Sequence, residues 1–450
     1  MHVVKQLAEH ICDGTFSTPP EAVRQQALRC ILDAVTATVT GYRSEGASAC
    51  RATAATVFAG GASPLWLAGS TLGPAGAAFA NSAAMSALDF DDGHRKARGH
   101  PGAAVIPSAF AAFATAGEAD DLIAAVVAGY EISIRIAAAQ NSANIKTRQS
   151  GRWTAFGAIA AAASISRVPA YVTASAMAIA GCWSPNQEAN GSSGYARQTG
   201  NHAKEGIPWS VVTGLTALEL AHRGFSGPGD LLDHAAYYDP VAVLQGLGER
   251  WDILRVYFKP YSCCRYIHPA IDAALRLKEN HRIRPDDIEA IQVRTFGWAN
   301  RLQNSCKPSN LVEIQYSLPF CVAAALCRGA RSLSPIDQRL LCDPDVRRLA
   351  ARVQLVSDPE LDRRFPAETL AQVVIRTPSG SASSGIVSPR GDAGDPFTWD
   401  GLVEKFRIST ARLLDEDHQL EFLVAFESLR AGDPQPLIAC LKKPMGARGS

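Results

Sequence analysis

The 450-residue sequence has almost no net charge: 44 Lys and Arg nearly cancel 43 Asp and Glu, leaving +1 at neutral pH. That balance gives no reason to expect a nucleic acid or a membrane surface as a partner. Charged residues make up only 19% of the chain and hydrophobic ones 47%, which excludes whole-chain disorder and leaves material for a sizeable core. No CxxC pair occurs among the eleven cysteines, which are scattered and odd in number. This speaks against a disulfide framework or a zinc site and points to a reducing, cytoplasmic compartment. The first residues, with Lys5, Glu9 and Asp13, lack the apolar stretch of a signal peptide. GxGxxG after a strand, GxxxxGK[ST], GxSxG and HExxH are all missing, so nicotinamide, ATP and zinc-peptidase readings have no motif behind them. From Ala52 to Leu88 there is no charge, yet Gly60, Gly61, Pro64, Gly73, Pro74 and Asn81 interrupt the run and its apolar residues are mostly Ala. A spanning helix needs about 20 strongly apolar residues, so a tightly packed core of small side chains is the better reading.

What is present falls into two styles. The first 260 residues read as successive helices. Ser17-Thr18 before Pro19-Pro20 is a helix-start signal, followed by Val23, Ala27, Cys30, Ile31, Ala34 and Val35 at helical spacing. Further helices are expected at Leu122–Ala139, Ala155–Ser166 and Trp209–His222. Beyond Pro260, Ile288–Thr295 alternates as a half-buried strand, Val353–Val356 is a second candidate, and Gln372–Thr377 with Ala382–Val387 reads as a hairpin around Pro378-Ser379-Gly380. Helical runs at Pro269–Lys278 and Ser317–Cys327 lie between them, and Thr398 is a candidate N-cap for a returning helix. The expected fold is mainly α: a large helical domain over 1–262, completed by 398–450, with a smaller α+β domain inserted at 263–397. A cleft between two domains is a default ligand site.

Several clusters could carry chemistry. The densest is Asp89-Phe90-Asp91-Asp92-Gly93-His94, continuing to His100-Pro101-Gly102. Three carboxylates and two imidazoles in twelve residues suit acid–base work, since environment can push their pKa values apart. They also suit metal ligation, and a plain charged loop after a buried helix is the bland alternative. A second cluster runs from Lys259 to His268 and includes Arg265 and the Cys263-Cys264 pair. Its cations could hold a polycarboxylate, and the cysteines read as buried structural thiols. A third, with Lys146, Arg148 and Arg152 before a small-residue helix, is an anion site in principle. Lys204, before another helix, could be a desolvated base or a carboxylate clamp, and Tyr316 a hydrogen-bond donor.

Taken together, these segments resemble the MmgE/PrpD family, which includes 2-methylcitrate dehydratase, cis-aconitate decarboxylase and iminodisuccinate epimerase. The resemblance covers nearly the whole chain. It rests on Ala77–Asn81, Ala87–Asp92 and His100-Pro101-Gly102; on Gly129-Tyr130-Glu131 with Arg135; on Leu218–Pro228; on Lys259-Pro260-Tyr261 with Cys264 and His268; and on Gln315–Pro319, in the family's order. It implies a helical domain built from both chain ends, an α+β lid and a homodimer. It also implies no metal or organic cofactor, and proton transfer next to a carboxylate in small di- or tricarboxylates. Carried over by position, the catalytic residues are Asp89, His100, Lys204, Lys259 and Tyr316. We expect His94, Arg152, Arg265 and His268 to face the substrate. Gly93 stands where the family usually has Thr, Gly151-Arg152-Trp153 where members often carry His, and the family's LHPG text is missing around Lys204. These departures argue against a close copy of the decarboxylase or of 2-methylcitrate dehydratase. The expected activity is a cofactor-free lyase, a dehydratase first and an isomerase second. A metal-dependent hydrolase and a catalytically inactive carboxylate sensor are the rivals.

Overall fold

Small residues let helices approach closely, and the computed structural model, which describes residues 1–116, 121–147, 149–189, 200–392 and 394–446, uses them that way. The helices Asp121–Ala138 and Thr154–Ile165 cross where Gly129 meets Gly157. A Cβ at Gly157 would lie 2.8 Å from Ser133 Cβ and 2.9 Å from the Gly129 carbonyl oxygen. Nineteen α-helices occur among the described residues and the sheets are small, so the fold is mainly α. The expected helices and strands appear with ends shifted by one or two residues. The first long helix differs more: it is Glu21–Gly41, begins after Pro20 without a side-chain cap, and Ser17 donates to Gly14 O instead.

The uncharged run becomes the end of a helix (Glu45–Val57), a tiny antiparallel pair (Ser63–Leu65 with Ser70–Leu72) and the helix Pro74–Ser86. Among the described residues no helix is long and apolar enough to cross a membrane.

Two large hydrophobic cores form. One joins Leu28, Ile31 and Val35 to Ile106, Val127, Ile159 and, from the far end of the chain, Leu402, Phe406, Phe426 and Leu437. The C-terminal helix Trp399–Thr410, capped by Thr398 Oγ1, thus returns to the N-terminal helices. The other core draws on residues from Tyr261 to Val387. It packs the helices His268–Asn280 and Leu318–Arg328 with a four-stranded sheet. The strand order is Val353–Ser357, Ala290–Thr295, Ala371–Thr377, Gly380–Val387. The first pair is parallel and the other two antiparallel. Alternate residues of Ala290–Thr295 are buried, as the sequence alternation predicts. A short bridge, Gly93–His94 against Val256–Tyr257, sets the Asp89 loop beside Lys259.

Candidate functional site

The helix Pro74–Ser86 runs out just before Asp89, and the chain takes a left-handed turn there (Asp89 φ 53°). Lys204, in the turn before helix Ile207–His222, has the same rare backbone state (φ 41°). Such conformations cost energy for side chains other than glycine and cluster at working sites. The two residues are tied together: Lys204 Nζ donates to Ser86 O at 2.6 Å and to Ala87 O at 3.3 Å. Lys259, fully buried, donates to both the carbonyl and Oδ1 of Asp89 at 2.9 Å. From the opposite side Lys405 donates to Phe90 O at 3.0 Å and to Asp33 Oδ1 at 2.6 Å.

The three carboxylates of the loop meet different fates. Burial alone would raise Asp89, but Lys259, His100 and Lys204 outweigh it and hold the group well below the ordinary carboxylate range. Lys259 stays charged: burial works against it, and Asp89 and Asp91 lift it above its ordinary value. Asp91 Oδ2 lies 3.6 Å from His100 Nδ1. Asp92 points inward, receiving the Tyr130 hydroxyl at 2.5 Å and the Gly102 N–H at 3.2 Å. Burial and the nearby Asp33 push it up to about 8. Gly102 is required here, because a Cβ would meet Tyr130 Oη at 2.4 Å.

His100 has a defined orientation. Its Nδ1 lies 2.6 Å from Asp92 O, and a carbonyl can only accept, so Nδ1 carries the hydrogen. Nε2 is the other ring nitrogen, 3.4 Å from Asp89 Oδ1, and it carries the lone pair whenever the ring is neutral. The His100 N–H donates to Ser150 Oγ at 3.2 Å. Ser150 donates in turn from N (3.0 Å) and Oγ (3.3 Å) to Glu205 Oε2. Burial raises Glu205 above its ordinary value, with His100 pulling the other way. Burial lowers Lys204 against the pull of Asp89 and Asp91.

Of these groups Asp89, Asp91, His100, Lys204 and Glu205, with Gln315, line a cavity of about 910 Å³ between the two cores. Arg43, Arg331, Arg407 and Arg412 also line it. Tyr316 is buried beside Asp89 and Glu205, and its hydroxyl makes no hydrogen bond among the described residues. Burial, then Asp89 and Glu205, push its phenol well above the ordinary value.

The structure does not bring every nominated residue to this cavity. Arg152 donates to Ser184 O (2.9 Å) and Tyr238 Oη (3.1 Å). His94 is buried, accepts the Ala97 N–H at Nδ1, and is lowered to about 4 by desolvation. Arg265 pairs with Asp392 at 2.9 Å and stacks on Tyr257, while donating to His268 Nδ1 at 3.3 Å. His268 Nε2 donates to Cys263 O at 3.1 Å, and burial beside Arg265 holds the ring well below its ordinary pKa. None of these four lines the cavity, and neither do Lys259 and Tyr316, which lie behind its wall. Arg148 lies outside the described residues. Glu205, Ser150, Gln315 and Lys405 were not nominated. Glu205 adjoins Lys204 in sequence, which was the one available hint.

Asp89, Asp91 and His100 each offer a donor atom within 4.8 Å of the others, a spacing able to hold a metal ion. The Lys259 ammonium already supplies a cation at Asp89 Oδ1.

The family model of the MmgE/PrpD N-terminal domain matches residues 5–242, and that of the C-terminal domain matches 261–431. The chain belongs to the MmgE/PrpD family. This MmgE/PrpD chain is 24% identical over 412 residues to the cis-aconitate decarboxylase of Aspergillus terreus, covering 84% of this chain and 83% of that one. It is 24% identical over 384 residues to the cis-aconitate decarboxylase-like protein oryM of Aspergillus oryzae, covering 77% of each. A stretch of 157 residues is 29% identical to the 2-methylcitrate dehydratase of Cupriavidus necator, covering 31% of this chain and 30% of that one.

Proposed function

We propose that this chain is a cofactor-independent lyase that removes a proton next to a carboxylate in a small di- or tricarboxylate, with loss of water as the net reaction. The observation that carries the reading is the orientation of His100. A backbone carbonyl fixes its tautomer, so the basic nitrogen faces the cavity beside Asp89. His100 acts as the base, and the anionic Asp89 stabilises the imidazolium that results. Lys204 supplies positive charge where the enolate-like intermediate develops, often the largest catalytic contribution. Lys259 keeps Asp89 ionised and in place. Tyr316, whose hydroxyl makes no hydrogen bond among the described residues, orients a substrate oxygen. The arginines at the cavity take the outer carboxylates, in place of Arg152, Arg265 and His268.

Residues 263–397 would serve as a lid over the helical domain, excluding water from the closed cavity. The working form is a homodimer in the cytoplasm, and the free state of the eleven cysteines suits a reducing compartment. Decarboxylation is a second reading, favoured by the length of the match to the Aspergillus terreus enzyme.

Proton NMR in D2O on metal-stripped protein, with citrate, 2-methylcitrate, cis-aconitate, malate, tartrate and iminodisuccinate, tests this. Deuterium entering next to a carboxylate supports the reading, and the product separates dehydration, decarboxylation and epimerisation. Activity that appears only on adding a divalent metal would move the assignment to the Asp89–Asp91–His100 metal set.

A further inference from the structure

Three buried polar atoms on residues that line the cavity have no hydrogen-bond partner among the described residues: Asp91 Oδ2, Gln315 Oε1 and Ser409 Oγ. Asp91 Oδ2 lies 3.6 Å from His100 Nδ1 and so has a neighbour of its own. The Ser409 hydroxyl can turn, either to donate or to accept. Gln315 Oε1 has neither freedom. Gln315 Nε2 donates to Ala87 O at 3.1 Å, and turning the amide about would set two acceptors against each other. The main chain is held as well, since the Cys264 N–H donates to Gln315 O at 2.8 Å. Lys204 Nζ reaches the same Ala87 O at 3.3 Å, which places the amide beside the ammonium of the site. Gln315 is fully buried. A buried amide oxygen without a donor is destabilising. Its missing partner has to bring an O–H or N–H, which a carboxylate or an alkene does not.

We propose that Gln315 is a specificity-determining residue, whose Oε1 accepts the hydroxyl of a hydroxy-polycarboxylate bound in the cavity. This deepens the lyase reading above and rests on it. Gln315 belongs to the segment that builds the second core, and Ala87 follows the helix Pro74–Ser86. The lid lifts the amide from Ala87 to admit the substrate and sets it back over the hydroxyl. A hydroxyl that donates to Gln315 keeps both lone pairs for the proton it must receive as it leaves. An unsaturated acid with no hydroxyl leaves Oε1 stranded, so the site selects for the substrate of a dehydration over that of a decarboxylation.

Two pairs of compounds that differ by one hydroxyl test this: citrate with tricarballylate, and malate with succinate. Dissociation constants are read by calorimetry on His100→Ala protein, which spares the ligands from turnover. In a pair that binds, the hydroxylated member is expected to bind about tenfold tighter or more. Adding Gln315→Met, of similar size but without the acceptor, is expected to bring the two members within about twofold. Equal affinities before that change would overturn the proposal, and so would failure of all four compounds to bind. A preference that survives Gln315→Met, with both members weakened alike, would show a structural role only and overturn it too. Should a variant not fold, ligand-induced thermal stabilisation of the wild type compares the same pairs, and equal shifts within each pair sink the assignment. A Gln315-dependent preference without proton exchange in D2O would keep this residue's role and remove the lyase reading. Exchange without a preference would do the opposite.

Discussion

The Asp89–His100 loop and the Lys259–His268 segment carry similar chemistry, and only the first faces the cavity with groups left to spend. In the loop, His100 uses Nδ1 on a backbone carbonyl and keeps Nε2 for the cavity. In the segment, His268 uses both ring nitrogens, on Cys263 O and on Arg265. Arg265 is itself taken by Asp392 and Tyr257. A side chain whose polar atoms are satisfied by protein is structural whatever its type; one with spare capacity at a cavity is available for chemistry.

The sharpest way to break this comparison is His100→Ala. We expect kcat to fall about 10²–10⁴-fold, the usual range for a positioned base, with an unchanged far-UV spectrum. Full turnover would remove His100 from the mechanism. Next comes Lys405→Met, which leaves Asp33 and Phe90 O without their buried partner. Burial pushes Asp33 up and Lys405 down despite their contact, so the pair is held by geometry and by low exposure. Loss of about 3–5 kcal/mol in denaturant unfolding is expected, and an unchanged midpoint would show that the loop does not need this anchor. His268→Ala should do the reverse of His100→Ala: about 1–3 kcal/mol of stability lost from stranded partners, with turnover per folded molecule within about threefold.

The mildest test uses pH. Asp92 sits at about 8 and Glu131 at about 7, both raised by burial, so the native state holds their protons longer than the unfolded chain does. Their contribution is full below pH 4 and is lost as pH rises through 7–8. His94, lowered to about 4, and His268, also lowered, act oppositely: their contribution is present above pH 6.5 and lost as pH falls. Stability should therefore decline between pH 6.5 and 8, at most about 1.4 kcal/mol per unit for each carboxyl. Asp92→Asn should flatten that decline, and an unchanged slope would mean that Asp92 does not hold a proton there.

Much of the fold could be read because period and punctuation are local. The alternation in Ala290–Thr295 and the Thr398 cap need only neighbours in sequence. The strands Ser63–Leu65 and Gly93–His94 are too short to show a period. For the site, the motif residues Asp89, His100 and Lys204 reach the cavity. Arg152 and Arg265 looked like anion binders because they stand beside motifs, but their acceptors, Ser184 O and Asp392, are 32 and 127 positions away. Sequence shows a donor; it does not show what will already have claimed it. Lys405 had no visible cue, since its partner Asp33 lies 372 residues earlier.

That long reach has a consequence in time. A ribosome delivers Asp33, then the loop, and Lys405 only 372 residues after Asp33. Until then Asp33 lacks its cation, Phe90 O lacks one donor, and the apolar faces that await Phe406 and Phe426 are uncovered. The nascent chain thus carries the Asp89 loop half-anchored until Lys405 is made, a period in which exposed apolar surface invites aggregation. The cavity cannot be complete before Arg407 and Arg412, which also line it, have been made.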